Sequence, residues 1–242
     1  MNKITNENID LKNKIDEIYS EMKLIKDENK KLNNEINNIK LYNAQSKIKI
    51  EEFNKEVYNS NKNSIILKSV IMREDERDMI FQEIENKMNK KIKEIKKLYQ
   101  ATIDGGDPII FHKKCDNILN TLVLIKSEGN RRFGGFTPIS WKSGIGHIKD
   151  KENKTFIFSL DKKKIYHLKS INEDALVHGN IFGPCFGKGK DIGIIGNPLK
   201  ENKLYTVQKS YNYKEDINSL SECINNNKIK AFDYEVFQII FE

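Results

Sequence analysis

Apolar residues recur every seven positions through the N-terminal part of this chain, and that repeat dictates a helix that cannot stand alone. One series reads Ile4, Leu11, Ile18, Ile25, Leu32, Ile39, Ser46, Phe53. The other reads Asn8, Ile15, Met22, Asn29, Ile36, Asn43, Ile50, Val57. Twelve of these 16 positions are apolar. The step from Leu11 to Ile15 is four residues and from Ile15 to Ile18 three, which assigns the second series to a and the first to d of a heptad. No Gly or Pro interrupts residues 1–63. A helix from Ile4 to Val57 would be about 80 Å long at 1.5 Å per residue. Its stripe needs a partner to cover it. Leu11, Ile15, Ile18, Met22, Ile25, Asn29, Leu32, Ile36 and Ile39 are the expected oligomerisation seam. Asn29 and Asn43 at inner a positions favour a parallel two-stranded coil, since Asn side chains pair across such an interface and fix its register. Ile at several d positions pulls towards three or four strands. A parallel homodimer is the favoured reading, with a higher oligomer, a hetero-coil or a helix folded back on its own chain as alternatives.

Beyond the heptads the composition changes. Ten of the 12 Phe lie after residue 100, so the core-forming part is C-terminal. The net charge is +7, which brings nucleic acid or an anionic surface into view. The cations are nearly all Lys, however, with only Arg73, Arg77, Arg131 and Arg132 able to make the bidentate contacts that base reading uses. Nucleic acid is therefore the weaker reading. Cys115, Cys185 and Cys223 are widely spaced, odd in number and without CxxC. They form no disulfide framework, and a reducing, cytoplasmic compartment is expected. MNKITNENIDLKNK lacks the apolar core of a signal peptide. No stretch approaches 18 apolar residues, so no transmembrane segment is expected.

The polar run Asn59–Asn63 breaks the heptads and divides the chain into a coiled coil (1–58), a linker (59–63) and a globular domain (64–242). The spacing next predicts a helix from Glu74 to about Leu98, acidic at its start and basic at its end, as the helix dipole favours. A shorter helix is expected near Ile109–Cys115. Runs of β-formers follow at Thr121–Ile125, Arg132–Thr137, Thr155–Leu160, Lys164–Leu168, Asp191–Ile195, Leu204–Val207 and Tyr234–Phe241. With no helix between most of them, they imply an antiparallel sheet or sandwich and an α+β class.

Several stretches, taken in order, resemble a known family. Leu98-Tyr99-Gln100-Ala101-Thr102, Asp104-Gly105-Gly106-Asp107 and Phe111-His112-Lys113-Lys114-Cys115-Asp116 come first. Thr121-Leu122-Val123-Leu124-Ile125-Lys126 and Phe133-Gly134-Gly135-Phe136-Thr137 follow, with Trp141 close behind. Phe156-Ile157-Phe158-Ser159-Leu160, then Gly183-Pro184-Cys185-Phe186-Gly187-Lys188-Gly189-Lys190-Asp191-Ile192, then Glu235-Val236-Phe237 complete the series. Residues 64–242 thereby resemble the TLDc domain of oxidation-resistance proteins, with Ser64–Leu67 like its first element. Lys190 stands where members often carry His, and Cys185 where they often carry a small hydroxyl residue. The resemblance implies a β-sandwich of two antiparallel sheets with flanking helices. It implies a non-enzymatic interaction protein with no catalytic set, metal or cofactor to carry over. It further implies a link to oxidative-stress protection, binding to the vacuolar proton ATPase, and a peripheral place on endolysosomal membranes through that protein partner. A thiol-based antioxidant enzyme and a coiled-coil scaffold with a folded end-domain are the competing readings.

Gly134, Gly135, Trp141, Gly183, Phe186, Gly187, Gly189 and Asp191 are the candidate structural or interaction motif. Gly187-Lys188-Gly189-Lys190-Asp191 invites a phosphate-loop reading but lacks its spacing and its Ser/Thr, so a glycine turn with Asp191 bonding local amides is expected. Gly134-Gly135 reads as a bulge or a close backbone approach in a packed strand. Trp141 is either a partner anchor or core, and core is expected. His112, Cys115, His178 and Cys185 have weak zinc spacing. Cys185 between Pro184 and Phe186 is expected to be an inert buried thiol. Phe182, Phe186 and Phe237 are expected in the core.

Overall fold

The computed structural model describes residues 2–62, 67–188, 190–212, 220 and 228–242, with side chains in the first helix described from residue 11 to 52. The chain divides into two compact units, Met1–Ser64 and Ile65–Glu242. The first is one α-helix, α1 (Asn2–Lys62). Asn59–Lys62 of the expected linker therefore have helical backbone, while Asn63 falls outside the described residues.

In the second unit, α2 (Glu74–Met88) precedes β1 (Ile92–Gln100), α3 (Ala101–Asp104) and α4 (Pro108–Cys115). Then come β2 (Thr121–Ser127), β3 (Arg132–Thr137), β4 (Gly146–Lys149), β5 (Phe156–Ser159) and β6 (Lys164–His167). The chain continues through β7 (Asp174–His178), β8 (Phe182–Phe186), β9 (Ile192–Ile195), β10 (Leu204–Tyr205) and β11 (Ala231–Phe241). Two antiparallel sheets result, one ordered β1-β11-β2-β3-β5-β6 and the other β10-β9-β8-β7-β4. The α+β class expected from the strand spacing, and the two-sheet sandwich that the resemblance implies, are the observed architecture.

The six-stranded sheet is buried on both faces. Val123, Ile125, Phe133, Ile157, Tyr234 and Val236 face one core, shared with Leu176, Phe186, Ile192 and Ile194 of the other sheet. Leu122, Leu124, Phe136, Phe156, Phe158 and Phe237 face a second core, closed by Ile80, Phe81 and Ile84 of α2. Burial on both sides explains why Thr121–Ile125 and Phe156–Phe158 read as continuous apolar runs rather than alternating ones.

The helix expected to reach Leu98 stops at Met88. Asn89 adopts the left-handed conformation (φ 52°) and ends it, and the following residues form β1 at the sheet edge. Lys93, Lys96 and Lys97 therefore lie on a strand, where charged side chains protect an exposed edge from further pairing. The misleading signal has a physical origin. Register shifts between Ile92 and Glu94 and between Lys97 and Tyr99 insert extra residues into β1. They put Ile92 and Ile95 into the core under α2 and Tyr99 into the core between the sheets, and the buried apolar positions thereby take the three-and-four spacing of a helix. β11 starts at Ala231, three residues earlier than expected, and lies between β1 and β2. Phe186 and Phe237 are buried as expected. Phe182 is only half-buried, because it opens β8 at a hairpin end under the Lys190 ammonium, 5.4 Å from its ring centre.

Candidate functional site

The motif residues come together inside the sandwich. Gly134 and Gly135 are central in β3, between β2 and β5. A Cβ on Gly134 would stand 1.9 Å from the Val123 carbonyl oxygen, and one on Gly135 would stand 2.7 Å from the Phe186 ring. Gly135 thus lets Phe186 of the opposite sheet lie directly on β3, while Gly134 lets β3 run close to its own sheet neighbours. Trp141 packs edge-on against Phe186 (5.4 Å between ring centres) and Phe111 (5.8 Å). Its indole N–H donates to Thr121 Oγ1 at 2.9 Å, which satisfies the one polar atom it buries. Trp141 is 1% exposed and belongs to the core. Gly183 meets the Ile194 side chain in the same layer.

Gly187 and Asp191 form the β8–β9 turn. Gly187 has φ +75°, and a Cβ there would collide with the Asp191 carboxylate. Asp191 is fully buried, and its carboxylate accepts from the backbone amides of Lys209, Ser210 and Tyr211. Burial pushes the carboxyl up, while the three amides pull it back down. Asp191 was expected to bond local amides. It instead pins a segment some twenty residues away, a long-range contact that turn chemistry alone does not announce. Gly189 lies outside the described residues. Lys190, left-handed at φ 61°, lays its ammonium over Phe182 and Tyr205.

The thiols are shielded. Cys185 is fully buried, and burial pushes it up to about 12. Cys115 is likewise buried and raised, with Asp116 adding to the effect. Such thiols hold little thiolate, the form that reacts. Cys223 lies outside the described residues. His112 bridges Asp116 Oδ1 (2.7 Å) and the Gly179 carbonyl (2.9 Å), tying α4 to the β7–β8 turn. His178 is buried beside Trp141, and its Nε2 has no hydrogen-bond partner among the described residues. Among the described residues no group of three His, Cys, Asp or Glu is placed to hold a metal.

One polar cluster was not anticipated. The fully buried Glu235 side chain accepts from Ser69 Oγ (2.5 Å), Val70 N (3.3 Å) and Lys97 Nζ (2.5 Å). Lys97 also donates to Gln100 Oε1 at 2.9 Å. A serine beside a carboxylate and a lysine suggests an activated nucleophile, but the Ser69 oxygen itself accepts from the Ile71 and Met72 amides. Its lone pairs are engaged, and the cluster acts as a clamp holding residues 69–72 against β1 and β11. A carboxylate between Tyr234 and Val236 in an apolar strand was the available signal.

The heptad seam is the other candidate surface. Leu11, Ile15, Ile18, Met22, Ile25, Leu32, Ile36 and Ile39 are each 46–60% exposed along α1, and Asn29 is exposed among them. Ile4, Asn8, Phe53 and Val57, at the ends of the stripe, have side chains outside the described set.

These features define a class of protein: a two-sheet α+β sandwich whose motif residues build its interior, preceded by a long heptad-patterned helix. The TLDc domain profile matches residues 65–240, and the chain belongs to the TLDc family. No curated protein matches the chain. No described helix is long and apolar enough to cross a membrane.

Proposed function

We propose that this chain is a non-enzymatic interaction protein in which α1 joins two copies in parallel and the TLDc domain docks on a protein partner. The exposed α1 stripe carries the reading. A row of large apolar side chains, each about half exposed along 29 residues from Leu11 to Ile39, is stable in water only when covered. The Asn29 position favours a matching copy in register. The non-enzymatic part is supported by the shielding of Cys115 and Cys185, by the engaged Ser69 oxygen, and by motif residues that pack inside rather than line a cleft. Family membership makes the vacuolar proton ATPase the first partner to test and oxidative-stress protection the setting.

The experiment is affinity capture with the full chain and with an Ile18→Lys/Ile25→Lys variant, followed by identification of proton ATPase subunits. Recovery by both, stronger with the unaltered chain, supports docking through the TLDc domain with avidity from the coil. Bivalency of this kind raises apparent affinity by roughly 10²–10⁴-fold when geometry permits. Recovery that vanishes completely in the variant assigns the contact to the coil and favours the scaffold reading. In parallel, the chain should consume peroxide no faster than its Cys115→Ser/Cys185→Ser/Cys223→Ser variant.

A further inference from the structure

One end of the second sheet carries three isoleucines that touch little of their own domain. Ile145, in the loop before β4, is 95% exposed; Ile109, in the first turn of α4, is 73% exposed; Ile181, in the β7–β8 turn, is 58% exposed. The contacts around them place all three at the same end of this sheet. Gly146 pairs with His178, so Ile145 lies opposite the start of the turn that ends in Ile181. His112 binds the Gly179 carbonyl of that turn, and Ile109 is one helical turn before His112 on the same face of α4. Asp116, one turn after His112, bonds the Ser143 amide just before Ile145.

The charge around them is one-sided. Residues 138–149 and 175–190 contain no Asp or Glu. The acidic groups that reach this end among the described residues are committed: Asp104 to Lys114, Asp107 to the Ile109 amide, Asp116 to His112 and Ser143, Glu201 to Lys203. Lys113 and Lys142, exposed beside the isoleucines, have no such partner among the described residues. The apolar side chains come from three separate turns rather than the walls of a groove. Ile145 is flanked by Gly144, beside which a Cβ would meet open space, and by Gly146. Separate apolar tips beside two exposed lysines fit a fluid apolar layer under anionic headgroups better than a shaped protein surface.

We propose that this end of the domain docks directly on an anionic lipid surface, with Ile109, Ile145 and Ile181 entering the headgroup–acyl boundary and Lys113 and Lys142 over the headgroups. This contact is separate from any protein partner and from α1.

The test is flotation of the full chain with vesicles of phosphatidylcholine, with and without phosphatidylserine. The unaltered chain should partition onto the anionic vesicles and be released by salt, because surface attraction is screened within about 10 Å at 0.1 M. Ile145→Asn/Ile181→Asn should lower partitioning about tenfold or more, as for lost insertion of two apolar side chains. Its thermal midpoint should stay unchanged, since both residues are exposed. Lys113→Glu/Lys142→Glu should abolish the preference for phosphatidylserine. Ile171→Asn, an exposed isoleucine at the opposite end of β7, should partition as the unaltered chain does. The proposal is overturned if the chain stays off anionic vesicles, if Ile171→Asn loses as much as the double variant, or if binding survives the loop variants and is lost in Ile18→Lys/Ile25→Lys. Capture of an acidic protein through these isoleucines by a chain that stays off vesicles overturns it as well.

Discussion

Gly134 and Gly135 show how a missing methyl sets how closely a strand is approached, by its own sheet at the first and by the opposite sheet at the second. At Gly134 the obstacle to a Cβ is the backbone of β2 itself; at Gly135 it is the Phe186 ring. Gly135→Ala should cost about 1–3 kcal/mol, the usual range for overpacking, because an aromatic ring can shift. Gly134→Ala should cost more, because a carbonyl in a paired strand cannot. Chemical denaturation of the two variants checks the order. The glycine pair was legible as a bulge or a close approach, since nothing else explains two glycines between two phenylalanines. Its partner, Phe186, comes from the other sheet some fifty residues away, and no local pattern names it. A second residue-scale expectation concerns His178. Burial holds its imidazole below the ordinary histidine value of 6.5; Asp116 opposes this, while Lys142 and His112 reinforce it. The folded state therefore favours the neutral ring. The stability this contributes is present above about pH 6.5 and is lost as pH falls through the depressed folded value. The thermal midpoint should drop on acidification below pH 6.5, and less so in His178→Gln. His167, half-buried and also lowered, shares the sign and leaves a residual drop.

At the scale of elements, β11 lies between the first two strands of the six-stranded sheet and contributes to both cores: Tyr234 and Val236 to one, Phe237 and Ile239 to the other. Phe237→Ala should cost about 3–5 kcal/mol, the range for emptying a large core side chain. A thermal midpoint unchanged in that variant would mean that β11 is not packed as described. Strands with buried faces on both sides were readable as apolar runs, and β3 was placed to the residue. β1 was not, because its two bulges give a strand the apolar spacing of a helix. β4, with Gly146, His147 and Lys149 around one isoleucine, and β8, interrupted by Gly183 and Pro184, carry too few β-formers to declare themselves. The Ser69–Glu235–Lys97 clamp was hidden for another reason. Its members stand up to 166 residues apart, and only the pairing of β1 with β11 brings them together.

At the scale of the whole chain, the account rests on α1 joining two copies. The heptads state plainly that the helix needs cover, because seam position is a matter of spacing alone. The identity of the cover comes from Asn at a positions and from the absence of charged residues in the seam between Leu11 and Ile39. In the proposed dimer, assembly would also raise the strength of everything the TLDc domains touch, since two linked domains would engage a surface or a multisubunit partner together. The direct measurement is sedimentation equilibrium of the full chain at several concentrations. The account predicts a mass of about twice 28.2 kDa, falling to 28.2 kDa in Ile18→Lys/Ile25→Lys while the thermal transition of the sandwich stays in place. A full chain that sediments as a 28.2 kDa monomer across the range would contradict it.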